Sequence, residues 1–247
     1  VSGPVPWLSV VVPVLNEAHT LPAFHARLRA VLDALGRPWE LVVVDDGSTD
    51  GSFELLRALR ARDPALRVVR LDRNYGQHAA VLAGLGRARG EVVVTLDADL
   101  QNPPEEIPRL LARLAEGYEL VAGYRVGRCD SWGRRLLSWG LNRCARLWLG
   151  PASRDWGCML RAYRRPLVDR MVVSARGACF IPVLASRLAR SVAEVPVRHA
   201  PRAAGRSRYG AAALLRLAWT LLAAARPPAG PGRRRRPPRY TVAEVLE

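Results

Sequence analysis

Asp97 and Asp99 stand one residue apart, with Gln101 two further on, at the end of the apolar run Glu91–Leu96. Two carboxylates so spaced at a strand end can face one pocket. There they can hold a hard divalent cation, Mg2+ or Mn2+, that keeps coordination positions open to substrate phosphates. Such a cation neutralises the charge that builds on a departing diphosphate, the difficult part of breaking a sugar–nucleotide bond. A second acidic pair, Asp45 and Asp46, ends the run Glu40–Val44 and leads into Gly47 and Ser48. A carboxylate there can accept the imide N–H of a uracil or a ribose hydroxyl. The first apolar run likewise closes on Pro13, Asn16 and Glu17. Each group alone reads equally well as strand-to-helix capping, where Asp and Asn are ordinary. Their recurrence at three strand ends is less readily explained by capping.

The elements that must position these groups follow from periodicity. From Leu8 to about Tyr124, short β-branched runs alternate with helical patterns, and the runs show no in/out alternation. That marks a parallel sheet buried on both faces. The spacing predicts strands at Leu8–Val12, Glu40–Val44, Arg67–Leu71, Glu91–Leu96 and Glu119–Gly123, and helices over 20–35, 51–62, 76–88 and 104–115. Ser48, Thr49 and Asp50 offer side-chain oxygens to the first-turn N–H groups of the second helix. The fold class is α/β, an open, mostly parallel Rossmann-like sheet with helices on both faces. Such a sheet binds ligands outside the carboxyl ends of its strands. Gly84, Gly86 and Gly90 do not form a dinucleotide fingerprint, because they end a helix and lead into a strand, the reverse of the required order.

Composition removes several chemistries. All 38 basic residues of the 247-residue chain are arginine. Without lysine there is no Schiff base, no P-loop phosphate grip and no kinase ion pair. A hydrophobic fraction of 49% excludes a disordered chain, and 6% aromatic residues leave little for a single-strand stacking platform. The net charge of +16 raises nucleic-acid binding as a competing function. Against it, the arginines do not interleave with aromatics, and the strand-end carboxylates would repel phosphates unless a cation intervenes. Cys129, Cys144, Cys158 and Cys179 form no CxxC pair, and His19, His25, His78 and His199 form no HExxH. Neither a zinc site nor a disulfide frame is expected, and a reducing compartment is the simplest reading.

Beyond residue 125 the texture changes. Trp132–Leu149 reads as a basic amphipathic helix, followed by a break at 150–153 and, later, a strand near Ser191–Val197. Ala211–Ala225 is apolar except for Arg216 and Thr220. At 15 residues it falls short of the roughly 20 needed to span a bilayer. It reads as a packing helix or as one lying in a membrane interface. Between Val195 and Ala243 there are 11 arginines and no acidic residue. That composition fits a disordered tail drawn to anionic surfaces.

The segments PVLNE (13–17), VDDGSTDGS (44–52), NYGQHAAVLAG (74–84) and LDADLQNPPEEIP (96–108) together resemble the family 2 glycosyltransferases of the GT-A fold that load sugars onto polyprenyl phosphates. DSW (130–132), DWGCMLRAYRRP (155–166), FIPVLA (180–185) and EVPVRHA (194–200) narrow the resemblance to the subgroup that serves lipid A modification. The resemblance implies inverting transfer of a sugar, 4-deoxy-4-formamido-L-arabinose, from its UDP donor to undecaprenyl phosphate, with Mg2+ or Mn2+ as cofactor. Another sugar, or another acceptor, is the alternative within the same fold.

The resemblance also assigns residues. Pro13, Asn16 and Glu17 would line the nucleotide pocket, and Asp45 or Asp46 would contact base and ribose. Asp97 would sit at the donor, with Asp99 and Gln101 on the metal, and Asp155 beside the anomeric carbon. Arg125, Arg128 and Arg134 would face the acceptor phosphate. Arg202, Ser207 and Arg208 would close over the diphosphate, with Arg208 in place of a more usual lysine.

The expected organisation is a GT-A domain over 1–200, the diphosphate loop and a juxtamembrane amphipathic helix over 201–225, and a basic tail without fixed structure over 226–247. Pro238, Arg239 and Tyr240 resemble the family's terminal motif, while Pro227–Pro237 stands where relatives carry a transmembrane hairpin. The expected location is peripheral, on the cytoplasmic face of the inner membrane and against its anionic surface, or soluble in the cytoplasm. A homo-oligomer is left open.

Overall fold

The computed structural model describes residues 5–126, 154–175, 180–200 and 240–247. Its centre is an eight-stranded sheet built around β1 (Leu8–Val14). On one side of β1 lie β2 (Trp39–Asp45), parallel to β1, and β3 (Leu66–Leu71), parallel to β2; on the other lies β4 (Val92–Thr95), parallel to β1. Next comes β6 (Arg161–Arg164), antiparallel to both β4 and β5 (Leu120–Val126), and β7 (Val192–Arg198) closes that edge parallel to β5. At the other edge β8 (Val242–Leu246) runs antiparallel to β3.

The runs without alternation have a simple cause: both faces of the sheet are covered. Val10 and Val12 of β1 join one core layer, with Phe24, Leu28 and Leu32 of α1 (Leu21–Ala34), Phe53 and Leu56 of α2 (Ser52–Arg60), and Leu110 and Leu114 of α4 (Ile107–Ala115). Val11, between them, points into the opposite layer, with α3 (Gln77–Leu85), α5 (Arg165–Ser174) and α6 (Ile181–Leu188). Gly84 sets how deeply α3 sits: a Cβ there would lie 2.4 Å from Val11 Cγ1. That close seat brings the start of α3 to the carboxyl ends of β1 and β4.

Two expectations need correction. The tail expected to lack structure ends in β8: Tyr240 and Val242 pack on the second core layer, Leu246 packs on the first, and Glu247 pairs with Arg67. The Pro/Arg-rich composition belongs to 226–239, whereas 240–246 carries the β-branched and aromatic residues of a strand. The start of α2 also differs. Its N-cap is Gly51, in the left-handed region at φ 88°, with no side-chain capping bond. Asp50 does accept from Ser52 N at 3.0 Å, but Ser48 and Thr49 bond to the loop after β1. Among the described residues no helix is long and apolar enough to cross a membrane. The expected helices at 132–149 and 211–225 and the tail segment 226–239 lie outside the described residues.

Candidate active site

The loops after β1 and β2 are laced together. Asn16, at φ 53°, donates its N–H to Ser48 Oγ at 2.9 Å and accepts the N–H of Thr49 on Oδ1 at 2.7 Å. The next two amides follow suit, Glu17 N to Ser52 Oγ at 2.9 Å and Ala18 N to Asp50 Oδ2 at 3.0 Å. Pro13, half-buried, stands opposite Val44 in the β1–β2 register.

Asp45 and Asp46 lie inside this frame. Asp45 is fully buried, accepts the N–H of Ser48 at 3.2 Å and lies 3.6 Å from Arg70 Nε. Asp46 accepts Tyr75 N at 2.7 Å and Gly76 N at 2.8 Å, one on each oxygen. Burial pushes both carboxyls up, opposed by those bonds. Gly47 makes the geometry possible: at φ 73°, a Cβ would sit 2.7 Å from the backbone of Arg73. Asp46, expected with Asp45 at base or ribose, carries a structural task as well. Its oxygens hold the loop that opens α3.

That loop delivers Gln77, whose side-chain amide donates to Asp97 Oδ1. Asp97 lies just past β4, half-buried, and its pKa is pushed up to about 7. Desolvation is the main cause and the charge of Asp99 the second; Arg125 and the Gln77 bond oppose them, and Glu17 adds a smaller push. Asp99 is buried and accepts the N–H of Gln101 at 3.1 Å. Between them Leu100 sits in the left-handed region at φ 60°, which costs an ordinary side chain about 1–2 kcal/mol and recurs where function demands it. The carbonyl of Gln101 accepts the N–H of Ala200 at 2.9 Å, tying the exit of β7 to this loop.

The donor chemistry of Asp97 and Asp99 fits a divalent cation of the magnesium type. They are two hard oxygen donors at one strand end, and the charge of Asp99 adds to the push on Asp97, a conflict that a divalent cation would relieve. A magnesium-type site typically uses one or two carboxylates and takes the rest of its shell from phosphates and water. Among the described residues no group of three or more His, Cys, Asp or Glu side chains gathers as a metal cluster.

Asp155 is treated differently. Its carboxylate is buried and gripped in bidentate fashion by Arg125, Nε to Oδ2 at 2.6 Å and Nη2 to Oδ1 at 2.9 Å. It also accepts Arg125 N at 3.3 Å and Gly157 N at 3.1 Å. Arg125, expected to face an acceptor phosphate, thus engages Asp155. Arg128, Arg134, Arg202, Ser207 and Arg208 lie outside the described residues.

Three residues that sequence reasoning did not single out belong to this region. Gln77 bonds Asp97; Arg161, fully buried, bonds the carbonyls of the Asp155 turn; and His78 lies edge-on to Phe180 at 4.5 Å. Burial, and secondarily the Arg161 charge, hold the His78 imidazole down at a pKa of about 4. Gln77 and Arg161 fall inside recognised segments, but an amide at a helix start and an arginine in a strand carry no periodic signal.

Comparison with known proteins agrees with this architecture. The family model described as "Glycosyl transferase family 2" matches residues 9–171. A protein of Pseudomonas paraeruginosa named undecaprenyl-phosphate 4-deoxy-4-formamido-L-arabinose transferase is 50% identical over 220 residues, 89% of this chain and 65% of the relative. One of the same name from Salmonella paratyphi A is 45% identical over 222 residues, 90% of this chain and 68% of the relative. The chain thus spans about 65% of the length of the Pseudomonas relative.

Among solved structures, glucosyl-3-phosphoglycerate synthase from Mycobacterium tuberculosis, in complex with Mn2+, UDP and phosphoglyceric acid, superposes with a TM-score of 0.67 at 24% identity, covering 91% of this chain and 80% of the other. The same enzyme with Mg2+ and UDP gives 0.66 at 22%, covering 89% and 79%. At such identities the likeness establishes the fold alone, and that fold is the GT-A-like one expected.

Proposed function

This chain belongs to glycosyl transferase family 2, and from that membership and the site geometry we propose that it transfers 4-deoxy-4-formamido-L-arabinose, with inversion, from a UDP donor to undecaprenyl phosphate. The observation that carries the reading is the Asp97–Asp99 pair at the carboxyl end of β4, whose two charges oppose each other, with Asp155 clamped by Arg125, in a chain 50% identical to relatives of that name. In the reaction an oxygen of the lipid phosphate attacks the anomeric carbon as the bond from that carbon to the UDP oxygen breaks. A lipid monophosphate, with a second pKa near that of phosphorylated side chains at about 6, is largely anionic at neutral pH, so the nucleophile needs positioning more than deprotonation.

Asp97 and Asp99, with Gln101, would hold Mg2+ or Mn2+. When bound, the cation supplies charge neutralisation on the leaving diphosphate. Pro13, Asn16 and Glu17 form the rim of the nucleotide pocket, while Asp45 and Asp46 act on it through the loops they brace. Asp155 faces the reacting carbon. Its lone pairs already meet four N–H donors, which suits a fixed negative charge opposite developing positive charge better than a proton acceptor. Arg128 and Arg134 would grip the acceptor phosphate, and Arg202, Ser207 and Arg208 the diphosphate. Arginine in place of lysine at 208 keeps the charge and adds bidentate geometry. The arginine-rich segment before Tyr240 would draw the enzyme to the anionic cytoplasmic face of the membrane.

The test is a mass-detected transfer assay with a panel of UDP-sugars and undecaprenyl phosphate, with and without Mn2+. The expected result is metal-dependent formation of the lipid-linked formamido sugar. Transfer of a different sugar, or to a different acceptor only, would overturn the assignment.

A further inference from the structure

Arg161 occupies an unusual place for a permanent charge. It lies on β6, in register between Thr95 of β4 and Ala122 of β5, and is fully buried. Burying a guanidinium carries an effective penalty of several kcal/mol unless its donors are well met. Here they are met on one side only. Nε donates to the carbonyl of Cys158 at 2.9 Å and Nη2 to the carbonyl of Asp155 at 3.2 Å, while Nη1 has no hydrogen-bond partner among the described residues. Those two carbonyls bracket a single tight turn, closed by Cys158 N to Asp155 O at 3.4 Å. Thr95 Oγ1 holds the next carbonyl, that of Met159, at 2.5 Å.

The turn is gripped from its other side by Arg125 through the Asp155 carboxylate. Gly157 fits between. A Cβ there would stand 2.8 Å from Arg125 Nη2 and 3.5 Å from Asp155 Oδ1. No left-handed backbone requires glycine at this place, so the constraint is the space the guanidinium fills. Two charges of one sign therefore act on one turn: Arg125 fixes the carboxylate and Arg161 fixes the backbone that carries it.

We propose that Arg161 and Gly157 are positioning residues for the Asp155–Arg125 pair, setting the carboxylate's aim without touching substrate. This rests on the reading above that Asp155 faces the reacting carbon. Arginine suits the place because one planar fork carries a separate donor to each carbonyl in a fixed geometry, which a lysine's single ammonium does not supply. Displacement of such a group by about 1 Å can lower turnover on the order of a hundredfold.

The experiment uses the full chain and the variants Gly157→Ala, Arg161→Lys and the pair combined. Turnover, UDP affinity in Mn2+ by calorimetry and melting temperature are measured for each. Gly157→Ala is expected to lower kcat about ten- to a hundredfold, while UDP affinity and melting stay close to wild type. Arg161→Lys should act in the same direction, and the pair should lose less than the product of the two effects, because both move one turn. Folded Gly157→Ala protein with kcat within about twofold of wild type overturns the inference, as does a fall in UDP affinity that matches the fall in kcat. Should Arg161→Lys not fold, Gly157→Ala decides alone. A second readout needs no transfer: the NMR signal of the Arg125 Nε–H, identified by its loss in Arg125→Lys, should be protected in wild type and lost or shifted in Gly157→Ala. An unmoved signal refutes the positioning role. Absence of transfer by wild type from every UDP-sugar counts against the proposed function instead.

Discussion

Replacing Asp97 by asparagine should make the metal-free protein more stable, by an amount that depends on pH. The carboxyl has an ordinary value of 3.8 and is pushed up to about 7 in the folded chain, first by desolvation and then by the Asp99 charge. Below 3.8 it is protonated whether folded or not, and its contribution to stability is complete. As pH rises towards 7 the unfolded chain releases the proton while the folded one retains it. Stability then falls by about 1.4 kcal/mol per pH unit. Across that interval the loss reaches about 4 kcal/mol, which Asp97→Asn abolishes.

His78 acts in the opposite direction. Its folded value of about 4 lies below the ordinary 6.5, so its contribution is present above 6.5 and is lost as pH falls to about 4. In wild type the two slopes nearly cancel between pH 4 and 6.5, and each single variant uncovers the other. Urea unfolding in EDTA at steps from pH 4.5 to 8 measures this. The gain of Asp97→Asn over wild type should grow by about 3–4 kcal/mol across the series, whereas the gain of His78→Phe should grow towards acid. A stability difference between Asp97→Asn and wild type that stays flat across the range refutes the reasoning.

Asp99→Asn should abolish Mn2+-dependent UDP binding in calorimetry while leaving stability equal or slightly higher, since the Asp99 charge is the second push on Asp97; unchanged UDP affinity would exclude Asp99 as a ligand. Asp46→Ala strands the half-buried amide of Tyr75, while Gly76 N keeps Asn74 Oδ1, and should cost about 1–3 kcal/mol in urea unfolding, with a loss under about 0.5 kcal/mol as the contrary result. Deleting residues 240–247 removes β8, bares the β3 edge and should lower the melting temperature with a rise in light scattering; a monodisperse, equally stable product would show that β8 is dispensable. Asp155→Asn should be slow at every pH from 6 to 9, and a rate that climbs to the wild-type level with pH would restore Asp155 as a general base.

The five strands from β1 to β5 were legible because burial on both faces leaves an unbroken apolar run, and their ends fixed where ligand groups had to gather. β6 was not, for the opposite reason. Its sequence, RAYR, has no apolar run, and it buries an arginine whose guanidinium turns back on the carbonyls three and six residues before it. Long range hid the Arg125–Asp155 clamp, whose members are 30 residues apart. It also redirected Ser48 and Thr49 from capping α2 to bracing Asn16. Local chemistry places residues on elements; only the folded sheet decides which of them meet.

That distinction separates acidic groups that sequence treats alike. Asp45 and Asp46, Asp97 and Asp99, and Asp155 all look like site carboxylates, yet the fold handles them in three ways. Asp46 is matched to backbone N–H groups and becomes framework. Asp155 is matched to a guanidinium and becomes a fixed charge. Asp97 is desolvated beside a like charge, and the Gln77 amide and the Arg125 charge offset that only in part, so that its ionisation is resisted in the chain alone. A carboxylate satisfied by its own protein has little left to offer a ligand, whereas one held against its preference binds whatever relieves it. On the proposed reading, a cation at Asp97 would relieve that conflict, and the free energy withheld there from the free protein would return as binding energy for the donor complex.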